Sequence, residues 1–276
     1  MSKNYFRRLT LEEKLILRDK GTEPAFSGEY NDHFEAGIFV CRACNSPLYE
    51  SNTKFNSGCG WPSFDDEIDG AIKRYKDFTG GRERVEICCA NCDGHLGHVF
   101  TGEGMTKKDT RHCVNSLSIR FQSYKNLEQA TFGAGCFWFV EKYFSKIEGI
   151  YLIQVGYMGG EIKNPTYKLI SSGKTNYAEV INIYFNPKEI RFIDLLALFW
   201  KCHNPTLLNK QGKNIGKQYR SIIFPHTLQQ KKDAQLSRDI EQDNWRQDIL
   251  TEIVPATTFY RAEEYHQKYL DKNNLG

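Results

Sequence analysis

No stretch of this sequence stays apolar for anything near the roughly 20 residues that a bilayer-crossing helix needs. The longest dense apolar run covers residues 195–200, so no membrane partner is expected. The opening residues, Met1 through Arg8 (MSKNYFRR), are not followed by the apolar stretch of a secretory signal. No dense basic block occurs and the formal net charge is only +3, so the electrostatic footprint of a nucleic-acid binder is missing. Internal repeats and low-complexity tracts are lacking too. What is left is an ordinary globular chain, 40% hydrophobic and 26% charged, and its 276 residues suffice for one large domain or two ordinary ones. We expect a cytoplasmic protein.

Cysteine is the residue in excess. There are nine, an odd number, and disulfides rarely persist in a reducing compartment. Metal binding or thiol chemistry is the better reading.

The chain divides by pattern. Residues 1–121 are rich in Gly, Cys and aromatics. Residues 37–41 and 116–121 read as strands, the second from the alternation of Leu117, Ile119 and Phe121. Thr10 with Glu13 is a capping-box pattern that opens a short helix through about Arg18. Residues 122–129 are polar and are the expected linker. Residues 130–276 look mixed. A strand at 130–133 runs into a helix with Phe137, Val140, Phe144 and Ile147 on one face. Residues 180–185 alternate as a strand does, 190–200 read as a buried helix, and 227–250 as a polar surface helix.

Two Cys-x-x-Cys pairs, Cys41 with Cys44 and Cys89 with Cys92, stand 44 residues apart. Each pair places two thiolates on one side of a knuckle, and two knuckles complete the tetrahedron of a closed structural Zn²⁺ site. Two redox-active dithiols, or four buried thiols, are the alternatives. A site filled by four thiolates has no open position, so catalysis has to come from elsewhere. Cys88 adjoins the second knuckle and reads as a packing thiol.

Cys59 lies in Ser57-Gly-Cys-Gly-Trp-Pro-Ser63, Cys113 in Arg111-His-Cys-Val-Asn115, and His95-Leu-Gly-His98 sits between them. With the paired Cys-x-x-Cys motifs and the Gly-Thr-Glu-Pro-Ala-Phe-Ser-Gly run at 21–28, these resemble the type B methionine sulfoxide reductases over about residues 5–121. The resemblance implies Cys113 as nucleophile and Cys59 as resolving thiol. It implies His95, His98 and Asn115 around the sulfoxide oxygen, and Trp61 in the pocket for the methyl group. The chemistry is consistent. A thiolate attacks the sulfoxide sulfur, an imidazole supplies a proton, and the sulfenic acid condenses with a second thiol. Arg111 and His112, just before Cys113 in the chain, are expected to help favour its thiolate.

In the second half, Gly133-Ala-Gly-Cys136-Phe137-Trp138 falls at a strand-to-helix junction. A helix N-terminus favours the Cys136 thiolate, and Phe137 and Trp138 offer apolar surface for a methyl group. Together with Gly156-Tyr-Met-Gly-Gly160, Asn164-Pro-Thr-Tyr167, Tyr177-Ala-Glu179 and Gln218-Tyr-Arg-Ser221, the pattern resembles the type A methionine sulfoxide reductases over about 130–270. That resemblance implies Cys136 as nucleophile, Glu179 as the acid, and Tyr167 and Tyr219 as hydrogen-bonding groups at the oxygen. The sequence departs from the family pattern at Asn214, where an acid is usual, and at Tyr177, where His is usual. The tail 271–276 carries no resolving cysteine, and Cys202 reads as a core residue.

The resemblances imply a mostly β, zinc-stabilised first domain (1–121) of two antiparallel sheets and a two-layer α/β second domain (130–276). They imply a bifunctional reductase for both sulfoxide epimers, R in the first domain and S in the second, on protein-bound and free methionine sulfoxide. It needs no organic cofactor and is regenerated by an external thioredoxin-like thiol. A zinc-binding redox sensor explains the cysteines but not Glu179, Tyr167 and the aromatics beside Cys136. A zinc-knuckle nucleic-acid binder lacks a basic stripe.

Overall fold

The computed structural model describes residues 4–275; residues 1–3 and 276, the outer ends of the two expected domains, lie outside the described residues. The chain forms two compact units that divide between Asn126 and Leu127.

In the first unit, Thr10 caps helix α1 (Leu11–Leu17). Its hydroxyl accepts from the Glu13 amide while the Glu13 carboxylate accepts from the Thr10 amide, so two otherwise orphan donors are satisfied. Nine strands follow: β1 (Gly37–Cys41), β2 (Pro47–Glu50), β3 (Lys54–Phe55), β4 (Ser63–Phe64), β5 (Ile72–Asp77), β6 (Arg84–Cys89), β7 (His95–Thr101), β8 (Thr110–Val114) and β9 (Ile119–Ser123). They make a three-stranded sheet in the order β2-β1-β9 and a six-stranded sheet in the order β3-β4-β8-β7-β6-β5, antiparallel throughout.

The strand expected at 116–121 is displaced. Ser116–Ser118 is a 3-10 turn and the strand begins at Ile119. The Glu23 carboxylate takes the Ser116 and Leu117 amides, which diverts the chain from a ladder there. The expected linker is also narrower than its polarity suggests. Gln122 and Ser123 end β9, and Tyr124–Asn126 is a 3-10 turn.

In the second unit the elements are β10 (Glu128–Ala134), α2 (Phe137–Phe144), β11 (Ile150–Met158), α3 (Tyr167–Ser171), β12 (Ala178–Phe185), α4 (Phe192–Cys202), β13 (Lys210–Gln211), β14 (Asn214–Ile215), β15 (Ser221–Phe224), α5 (Leu228–Glu241), β16 (Glu252–Ile253), β17 (Tyr260–Arg261) and α6 (Tyr269–Lys272). Six strands form one mixed sheet, β16-β15-β10-β12-β11-β17, in which only the β15–β16 pair is parallel. Strand alternation sorts its residues onto two faces. Phe132, Val155, Tyr157, Ile181, Ile183 and Ile223 pack with α2, α3 and α4. Met158, Val180, Ile222 and Phe224 lie in a second cluster with Ala256 and Phe259. Both faces are therefore covered, and β12 is buried almost throughout. The sequence alternation at 180–185 suggested a polar outer face, but Asn182 is buried and accepts a hydrogen bond from Thr131. The surface helix expected at 227–250 ends at Glu241. The Gln242 carboxamide then donates to the Trp245 and Gln247 carbonyls and accepts from the Ile249 amide, folding that segment back.

Candidate active sites

The paired cysteines meet. Cys41 ends β1 and Cys89 ends β6. In each knuckle the residue after the second cysteine, Asn45 or Asp93, has positive φ and donates its amide to the carbonyl of the first. Sγ of Cys41 lies 3.6 Å from that of Cys92, and Sγ of Cys44 lies 3.6 Å from that of Cys89. All four sulfurs fall within 4.8 Å of one another. Zn–S bonds of about 2.3 Å in a tetrahedron put sulfurs about 3.8 Å apart, so the donor set and its spacing fit such an ion. The knuckles join one strand from each sheet.

The six-stranded sheet assembles the second sulfur site. Cys113 on β8 is directly opposite Ser63 on β4 and His98 on β7, so all three side chains share a face. The loop before β4 brings Cys59 to 3.9 Å from Cys113, sulfur to sulfur. Both cysteines are partly exposed residues. Hydrogen bonding from Cys113, Ser57 and Ser63 outweighs burial and brings the Cys59 thiol down to about 4. Its neighbour Cys59, and then burial, hold the Cys113 thiol well up, opposed by Arg111. Arg111 is itself fixed by a two-pronged ion pair with Glu103 at 2.7 and 2.8 Å. Gly97 makes the close approach of β7 possible, because a Cβ there would lie 2.0 Å from the Cys113 carbonyl oxygen.

Other expected residues divide. The His98 Nε2 is 2.7 Å from Asp77, and the His95 ring centre is 5.6 Å from that of His98. Trp61 is half-buried, its indole N–H donating to the Glu23 carbonyl. Asn115 is buried. Its carboxamide accepts from the Glu23 amide and donates to the Leu96 carbonyl, so it ties the loop carrying Glu23 to β7. His112 faces the opposite side, wholly buried against Tyr49 and Glu67, and so does not sit beside the Cys113 sulfur as its place in the sequence suggested.

In the second unit, Cys136 is the N-cap residue of α2 and is partly exposed. The Trp138 and Phe139 amides favour its thiolate, but burial, followed by Glu179, outweighs them and the thiol is raised. The expected lowering by the helix end is overturned by desolvation. Glu179, on the helix-covered face of β12, is 2% exposed. Burial pushes its carboxyl up to about 8, against one hydrogen bond from the Phe137 amide at 3.2 Å. Burial raises the phenols of Tyr167 and Tyr219, and the charges of Glu179 and Cys136 add to that rise. Trp138 is half-buried, stacked on Tyr269 at 3.8 Å, and donates to His266. Phe137 is only 1% exposed and packs on Tyr157 and His266. It backs the wall of the site and presents almost no surface of its own.

A family model described as Peptide methionine sulfoxide reductase matches residues 128–276, and one described as SelR domain matches residues 9–123. The chain belongs to the peptide methionine sulfoxide reductase family. It is similar to the peptide methionine sulfoxide reductase MsrA of Methanothermobacter thermautotrophicus, 51% identical over 148 residues, or 53% of this chain and 88% of that one. The MsrA of Geobacter sulfurreducens is 49% identical over 153 residues, 55% of this chain and 94% of that one. Among solved structures, reduced Mxr1 of Saccharomyces cerevisiae has a TM-score of 0.53 at 38% identity, covering 55% of this chain and 88% of that one. Methionine sulfoxide reductase A of Corynebacterium diphtheriae has a TM-score of 0.51 at 34% identity, covering 55% and 77%. This chain is thus an oxidoreductase that reduces methionine sulfoxide, with one domain for each epimer at sulfur, R in the first and S in the second.

The two departures from the reductase pattern fall in different places. Tyr177 is buried, its hydroxyl donating to the Ile162 carbonyl at 2.5 Å and its ring lying over Gly160. Asn214 is exposed on the β13–β14 hairpin. Cys202 ends α4 with its thiol on the Phe199 carbonyl, and burial raises it to about 12. Sequence reading missed Ser57, Ser63, Glu23, Asp77 and Glu86 (2.7 Å from the His95 Nδ1) in the first domain, and in the second His266 and Glu263, which accepts from the Tyr167 amide and the Tyr157 hydroxyl. Ser57, Ser63 and Glu23 lie inside the quoted motifs, so their position was a signal. Nothing local marks the others.

Proposed function

We propose that Cys113 attacks the sulfur of the R-sulfoxide while the imidazoles of His98 and His95 serve its oxygen. The observation that carries this reading is the sulfur pair, a partly exposed cysteine 3.9 Å from a second thiol and cross-strand from a histidine. For attack, the proton on Cys113 passes toward Cys59, and Arg111 steadies the charge. Thiol and sulfoxide give sulfenic acid and thioether. The sulfenic acid then condenses with the Cys59 thiol to a disulfide, releasing water. A thioredoxin-like dithiol protein returns both thiols by exchange. Trp61 lines the methyl pocket.

In the second domain Cys136 attacks the S-sulfoxide. Glu179, protonated at neutral pH, delivers the proton to the departing oxygen. A neutral Glu179 also removes its own repulsion of the Cys136 thiolate. Tyr167 and Tyr219 hold the oxygen, and Trp138, backed by Phe137, holds the methyl group. No second cysteine of this domain is placed to resolve the sulfenic acid, since Cys202 is engaged elsewhere; an external thiol reduces it directly. A stable Cys136–Cys202 disulfide after turnover contradicts that step.

Zn²⁺ held by Cys41, Cys44, Cys89 and Cys92 is structural, tying the two sheets together. The substrates are free methionine sulfoxide and exposed methionine sulfoxides in proteins, the first domain working poorly on the free amino acid. No helix among the described residues is long and apolar enough to cross a membrane, and nine cysteines, read as four zinc ligands and five thiols, suit a reducing compartment such as the cytoplasm. Peptide mapping after a single turnover without reductant tests the scheme. R-sulfoxide should leave a Cys59–Cys113 disulfide and S-sulfoxide a dimedone-reactive Cys136. A dimedone adduct on Cys59 with Cys113 unmodified would reverse the roles of the pair.

A further inference from the structure

On the Cys113 face of the six-stranded sheet, beyond His98, lies a buried polar group that the scheme above leaves unused. Glu86 on β6 is 5% exposed, and three side chains converge on it. Lys20, from the turn after α1, donates to one oxygen at 2.8 Å. The Nδ1 of His95 lies 2.7 Å from the other. Cys88, two residues along the same strand and therefore on the same face, adds its thiol. The His95 Nε2 is buried and has no hydrogen-bond partner.

The register explains the convergence. Glu86 is opposite His98, and Cys88 is opposite His95, with Leu96 as an extra residue between the two pairings. Such a bulge turns His95 and His98 onto one face although they stand three positions apart. That face continues to Cys113, the cross-strand neighbour of His98.

We propose that Glu86 is a positioning residue for reduction of the R-sulfoxide, fixing His95 with its proton on Nδ1 and Nε2 free for the reaction. This rests on the reading that His95 serves the sulfoxide oxygen. A buried carboxylate beside a lysine has only acceptor atoms, so the imidazole nitrogen facing it must carry a proton. Burial opposes ionisation of Glu86, yet the hydrogen bonds from Lys20 and His95 hold its carboxyl below the usual range. The other nitrogen, Nε2, is then the one position where His95 can take up or release a proton. When it does so, Glu86 stabilises the imidazolium, as an orienting carboxylate does for a catalytic histidine. His98 is held the other way round, by Nε2 on Asp77, so its Nδ1 is the nitrogen left open. The two imidazoles thereby present different nitrogens.

Glu86→Gln keeps an oxygen for the hydrogen bond but loses the charge. It is measured in the full chain, with zinc content reporting that the first domain is folded and S-sulfoxide turnover calibrating enzyme concentration. The readouts are kcat and KM for an R-sulfoxide peptide, the pH profile, and the nitrogen-15 imidazole signals of His95. The charged and titratable groups facing His95 are Glu86 and Cys88 on β6, Lys20, and His98 on its own strand. The expected result is a kcat lower by roughly tenfold or more with KM little changed. The pH limb belonging to His95 should move to lower pH, because burial already lowers this imidazole and Glu86 is what opposes that. The wild-type Nδ1–H form should give way to a mixture, and Glu86→Asp should restore part of kcat. Should Glu86→Gln lose zinc, the same readouts on zinc-retaining Glu86→Asp decide. Wild-type kcat, pH profile and tautomer in Glu86→Gln, alongside an inactive His95→Gln, would overturn the role of Glu86. A fully active His95→Gln would overturn the reading of His95 itself.

Discussion

Glu179 shows how burial sets chemistry at a single residue. A carboxyl that titrates near 8 is an acid available at neutral pH, where an ordinary glutamic acid, near 4.3, is spent. S-sulfoxide reduction should therefore fall as pH rises through about 8, while R-sulfoxide reduction should lack that limb. Glu179→Gln should cost S turnover roughly 100-fold or more and leave R turnover unchanged, measured with separated epimers. The same shift has a sign for stability. The folded carboxyl binds its proton more tightly than the unfolded one, so its contribution is full below about 4 and is lost as pH rises through about 8. Thermal melts of Glu179→Gln should therefore gain on wild type as pH rises from about 4 to about 8 and hold that gain above it, and an equal fall in both proteins would contradict the raised acid.

At the scale of elements, the R site depends on how closely β7 meets β8. Gly97 has φ +152 and its missing Cβ is what leaves room for the Cys113 carbonyl. Gly97→Ala should push the strands apart and remove R turnover with S turnover intact. Asn115→Ala should cost about 1–3 kcal/mol in denaturant melts of the first domain, because it leaves the buried Glu23 amide unpaired, while the Leu96 carbonyl keeps the backbone amide of residue 115. These elements also mark what the sequence disclosed. The zinc knuckles and the Thr10 cap are built from residues three or four apart, so their spacing announces them. The grouping of Cys59 and Cys113 was legible only through the family resemblance. The engagement of Asn115 by Glu23, across 92 residues, and the bulge that aligns His95 with His98 depend on strand register. No local pattern encodes that. Helix and strand ends slipped for a related reason. Side chains such as Glu23 and Gln242 capture backbone amides from other segments, and propensity does not see them.

At the scale of the molecule, each unit has its own sheet or sheets, and only the first holds the four-cysteine cluster. Chelation of zinc should therefore abolish R reduction and leave S reduction standing, with one of two unfolding transitions lost. Loss of both activities on chelation would mean that the second unit does not fold on its own core.

The most direct test of the whole account is the rate on each separated epimer, measured with a dithiol reductant for wild type, Cys113→Ser and Cys136→Ser. The account predicts that Cys113→Ser loses R turnover alone and Cys136→Ser loses S turnover alone. One substitution abolishing both rates, or either rate surviving loss of its own sulfur, would contradict it.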